Sequence, residues 1–89
     1  MKIETIVNEF INDIKSDDTV KIWCGHGDEF YMDAYNGPCP NFVWIQYSAG
    51  EHTSQEKVIA KFKDIEDSVK FAGELKTEIE KRGINTWLI

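Results

Sequence analysis

Thr53-Ser54-Gln55-Glu56-Lys57-Val58-Ile59-Ala60-Lys61-Phe62-Lys63-Asp64-Ile65-Glu66-Asp67 decides the fold, because it supports two readings. As a capping box, Thr53-Ser54-Gln55-Glu56 would open one long helix running to Arg82. As a strand, residues 57–62 alternate Val58, Ala60 and Phe62 against Ile59 and Lys61. The strand is preferred. Asp64-Ile65-Glu66-Asp67 is itself a good helix start, and an uninterrupted helix of about 29 residues is unusual in a small domain. The following helix then runs from about residue 65 to 82, with Ile65, Val69, Ala72, Leu75 and Ile79 inward and Glu78 paired with Arg82 one turn on. Gly83 ends it, and residues 84–89 add an edge strand.

Upstream, Ile3, Ile6, Val7, Phe10, Ile11 and Ile14 form one apolar stripe, which predicts a helix over about residues 2–15 with Glu4 near its positive end. Residues 19–24 alternate and are rich in β-formers, so a strand follows. Gly25-His26-Gly27-Asp28 reads as a turn, residues 29–35 as the return strand of a hairpin, 36–41 as a longer turn, and 42–48 as a further strand. The expectation is a single two-layer α+β domain spanning residues 1–89. Its antiparallel sheet has four to five strands, two helices cover one face, and the order is α-β-β-β-β-α-β. Val20, Ile22 and Cys24, Phe30, Met32 and Ala34, and Val43, Ile45 and Tyr47 form the helix-facing set. The opposite face carries Thr19, Lys21, Trp23, Tyr31, Asp33, Tyr35, Phe42, Trp44 and Gln46.

Charge narrows the function. The 89 residues carry a net charge of −6, and the imbalance is uneven. Residues 1–56 hold ten acids and three bases, residues 57–89 six acids and seven bases, and no Lys or Arg occurs between Ile22 and Glu56. Such a surface repels phosphate backbones and draws in a basic protein. Direct nucleic-acid binding is therefore not expected. No apolar run reaches the ~18 residues of a membrane span, and Met1-Lys2-Ile3-Glu4 lacks a secretion signal, so the expected location is the cytoplasm.

Cys24, His26, Cys39 and His52 are enough ligands for one zinc, but only Cys24 and His26 are close in sequence, which is not the spacing of paired zinc ligands. A Cys24–Cys39 disulfide would need an oxidising compartment. No nucleophile elbow, phosphate loop or dinucleotide fingerprint is present. The reading is therefore non-catalytic, with no metal and no cofactor. The aromatic sheet face is the candidate site. Trp23, Tyr31, Tyr35 and Trp44 are expected as anchors for a protein partner, and Asp28, Glu29 and Asp33 as steering charge. A homodimer that pairs two such faces is the alternative, as is an antidote to a basic toxin.

Residues 8–22, Asn8-Glu9-Phe10-Ile11-Asn12-Asp13-Ile14-Lys15-Ser16-Asp17-Asp18-Thr19-Val20-Lys21-Ile22, resemble the opening of small acidic phage anti-CRISPR proteins of type II-A. The resemblance extends to size and negative charge. It implies an acidic inhibitor that imitates DNA in the basic groove of a nuclease. The partner-contacting acids of that family lie beyond the matching stretch, and no site residue carries over. This chain is also richer in aromatics and ends in a mixed-charge helix.

Overall fold

A computed structural model describes residues 2–14, 18–26, 40–50 and 53–89. Helix α1 spans Ile3–Phe10 and tightens into a 3₁₀ turn at Ile11–Asp13. Strands β1 (Thr19–His26), β2 (Asn41–Gly50) and β3 (Thr53–Phe62) precede helix α2 (Ile65–Lys81) and strand β4 (Asn85–Leu88). The stretch with two readings is therefore a strand, and the long helix is excluded. The sheet order is β3-β2-β1-β4. Antiparallel pairing joins β1 to β2 and β2 to β3, whereas β4 lies parallel to β1. The class is α+β as expected, but the sheet is mixed rather than antiparallel. The reason is the α2 crossover: β3 and β4 run in the same direction with a helix between them, so β4 meets β1 head to head.

Alternation places the two faces. Val20 and Ile22 of β1 and Val43, Ile45 and Tyr47 of β2 pack with Val7, Phe10 and Ile14 of the first helical segment and with Phe71, Ala72, Leu75 and Ile79 of α2. Among the described residues the helix-facing set is as the alternation implies, with Cys24 partly buried against it, while Phe30, Met32 and Ala34 lie outside the described residues. The Tyr47 ring stacks on Phe10 at 6.5 Å, which fastens α1 over β2.

Three details differ from the expectation. First, Ile65 and Val69 are 47% and 50% exposed, and the buried stripe of α2 is Ser68, Phe71, Ala72, Leu75 and Ile79. Polar Ser68 fits the stripe because its hydroxyl donates to the Ile65 carbonyl at 2.7 Å, which satisfies it without water. Second, Val43 pairs with Ala60 but Trp44 pairs with Val58, so Ile59 is the extra residue of a bulge. Val58 is thereby carried to the face opposite Ala60, and the simple alternation of 57–62 fails. Third, Gly25 and His26 do not turn. They continue β1, opposite Phe42 and Asn41, with Gly25 at φ +145°. The expected return strand at 29–35 lies outside the described residues.

The ends of α2 are fixed locally. Asp64 is its N-cap residue, and the buried Asn41 amide donates to the Lys63 carbonyl at 3.0 Å, tying the start of β2 to the β3–α2 link. Gly83 sits at φ +83°, where a side chain is strained, and its N–H reaches the Glu80 carbonyl. The expected Glu78–Arg82 pair is present at 3.2 Å.

Candidate protein-binding face

The helices cover one face of the sheet, and the other gathers all three tryptophans of the chain. Trp23 and Trp44 are directly opposite on β1 and β2, and their rings stack at 6.3 Å and 3°. Cross-strand aromatic pairs of this kind stiffen a sheet and contribute about 0.5–1 kcal/mol. Trp87 lies opposite Lys21 on β4, and Thr86 before it is buried, so alternation puts the Trp87 indole on the same side as Trp23. Trp87 is 56% exposed. The Lys61 ammonium sits 5.3 Å above the Phe42 ring, a cation–π contact on this same face.

The face is graded rather than uniformly open. Phe42 is 1% exposed and Trp44 8%, whereas Trp23 is half-buried. Trp44 therefore offers little surface of its own, and its ring stacks beside the more exposed Trp23 ring. Trp87 is the exposed residue of this face that sequence reasoning missed. The available signal was parity, since burying Ile84 and Thr86 leaves Trp87 facing away from the helices. Of the remaining candidate residues, Asp28, Glu29, Tyr31, Asp33 and Tyr35 lie outside the described residues, so the structure brings together only Trp23 and Trp44 of the expected set.

Cys24 carries a free thiol on the helix side of β1, and burial pushes its pKa up, which disfavours the reactive thiolate. Among the described residues, no three His, Cys, Asp or Glu side chains converge to hold a metal ion. Cys39 and His52 lie outside them. A hollow of about 540 Å³ separates the N-terminal end of α1 from α2, with Lys2, Glu4, Glu74, Glu78 and Lys81 around it. Its mixed charge favours neither an anion nor a cation. Among the described residues no helix is long and apolar enough to cross a membrane.

No protein-family model matches the chain, and neither a curated protein nor a solved structure matches it significantly.

Proposed function

We propose that the protein is a small, acidic, non-catalytic inhibitor that acts in the cytoplasm by docking on a basic, nucleic-acid-handling protein. The observation that carries this reading is the sharing of one sheet face by Trp23, Trp44 and Trp87, in a chain of net charge −6. Exposed tryptophan is a costly feature for a surface to keep without a partner, and buried tryptophan is the commonest anchor of protein interfaces. The rigid stack of Trp23 on Trp44 lowers the ordering entropy of docking, because the ring is already held in place. The acidic excess of residues 1–56 supplies long-range attraction to a basic groove, as in the phage anti-CRISPR proteins that residues 8–22 resemble.

The test is cleavage of a target duplex by a type II-A RNA-guided nuclease, with the protein added in stoichiometric steps. The reading expects cleavage to fall as the ratio passes one, and Trp87→Ala to need at least tenfold more protein. Undiminished cleavage at tenfold excess would remove this class of nuclease as the target.

A further inference from the structure

The five large apolar side chains most exposed among the described residues are Ile65, Val69, Trp87, Leu88 and Ile89. They are not scattered. On α2, Phe71 packs against Phe62 of β3 with ring centroids 5.3 Å apart, so that flank of the helix faces β3. Ile65 and Val69 fall on the opposite flank of the same buried stripe, over β4. The start of α2 follows the end of β3, and the pairs Phe62–Asn41 and Asn41–His26 place that end beside the end of β1. Because β4 runs parallel to β1, Leu88 and Ile89 point to this end as well. One edge of the sheet therefore carries Trp87 on one face and Leu88, Ile65 and Val69 on the other.

Among the described residues, the backbone of that edge has hydrogen-bonding groups that no strand takes up. The Ile89 N–H donates to the Ile22 carbonyl at 2.9 Å, and Leu88 is the register partner of Ile22. In a parallel ladder this turns the N–H and C=O of Leu88, and by alternation of Thr86, away from β1. No described strand lies beyond β4.

We infer that β4 is a self-pairing edge, on which a second copy of this chain adds its own β4 antiparallel to give one sheet continuous across both copies. A two-fold axis at Trp87 sets Thr86 opposite the partner copy's Leu88 and forms four backbone hydrogen bonds, two from each of the equivalent pairs. Charge selects this occupant. In an antiparallel self-pair about Trp87 only Trp87 faces its own kind, but each neighbouring residue lies diagonally close to its own copy, so any charge there would be brought near a like charge. Residues 83–89, Gly-Ile-Asn-Thr-Trp-Leu-Ile, hold no charged side chain in a chain of net charge −6. The nearby Lys76 and Glu80 neutralise each other at 2.9 Å. A basic partner would instead be matched by an acidic edge. The opposite edge, β3, bears the charges that guard against such pairing, with Glu56, Lys57 and Lys61 exposed. The inference is independent of the proposed inhibitory role and differs from a dimer that stacks two tryptophan faces.

Light scattering of the full chain across about 5 to 300 µM is the test. The expected mass rises with concentration from 10.3 kDa toward twice that value. Leu88→Pro deletes an outward N–H that β1 does not use, a position where an edge strand tolerates proline, and leaves the three tryptophans in place. Trp87→Lys sets two ammoniums opposite each other at the axis. Each variant, checked for native circular dichroism, is expected to stay at the monomer mass over the same range. A wild-type mass of 10.3 kDa throughout, or dimers that survive in the folded variants, would overturn the inference.

Discussion

Replacing Leu75 and Val69 by alanine, one at a time, tests the rotation of α2 with effects that differ in size and sign. Leu75 has no exposed surface and belongs to the core cluster that α2 shares with α1 and the sheet. Its truncation removes three buried carbons and leaves a cavity, at about 2–5 kcal/mol. An 89-residue domain has about 4–13 kcal/mol of total stability, so the loss is a large share of it. With about 4–8 °C of Tm per kcal/mol for a domain of this size, a loss near 3 kcal/mol lowers Tm by more than about 12 °C. Val69 is half exposed, so its truncation forfeits little burial. Alanine there also improves helix propensity by about 0.5 kcal/mol. The expected Tm for Val69→Ala is unchanged or a few degrees higher. Thermal and urea unfolding followed by circular dichroism at matched protein concentration reads both. A loss at Val69 as large as that at Leu75 would refute the stripe formed by Ser68, Phe71, Ala72, Leu75 and Ile79.

Two glycines should respond in opposite directions. Gly73 lies inside α2 with open space where a Cβ would sit, so Gly73→Ala is expected to raise stability by about 0.5–1 kcal/mol, read by urea unfolding. Gly83 is at φ +83°, so Gly83→Ala is expected to cost about 1 kcal/mol in the same assay. Alkaline pH should destabilise the fold. Burial raises the pKa of Cys24, and burial with the Asp13 charge raises that of Tyr47. Both groups then lose protons more readily when unfolded, so stability is full below the unfolded thiol and phenol pKa values and falls as pH rises through the folded ones. Urea midpoints measured from pH 7 to 11 should decline, and Tyr47→Phe should flatten the upper part of that decline. Association with a basic partner should slow steeply as salt rises from 50 to about 300 mM, the mark of charge-steered encounter in stopped-flow traces.

How far the sequence carried depends on which physical rule governed each element. Period-2 alternation in residues 19–24 and 42–48 placed the helix-facing residues correctly, because a strand between two neighbours has no freedom to rotate. The strand at 57–62 was legible from its composition, but the Ile59 bulge was not, since a bulge answers to register with Val43 and Trp44 across the sheet. On α2, Ile65 and Val69 were read as inward because they are apolar. The sheet instead took the stripe containing Ser68, a polar residue whose satisfied hydroxyl sequence alone does not reveal. The parallel pairing of β4 with β1 follows from the crossover and carries Trp87 to the tryptophan face. Among the described residues the candidate site was legible without that pairing through Trp23 and Trp44, and Trp44 is nearly buried.

The central claim, that the tryptophan face contacts a basic protein, is tested most directly by capture from nuclease-treated cell extract. Wild-type protein and folded Trp87→Ala serve as parallel baits, with washing at moderate salt and identification by mass spectrometry. The account predicts that wild type retains one basic nucleic-acid enzyme and that Trp87→Ala loses most of it. Equal retention by both baits, or capture of no basic protein by either, would contradict it.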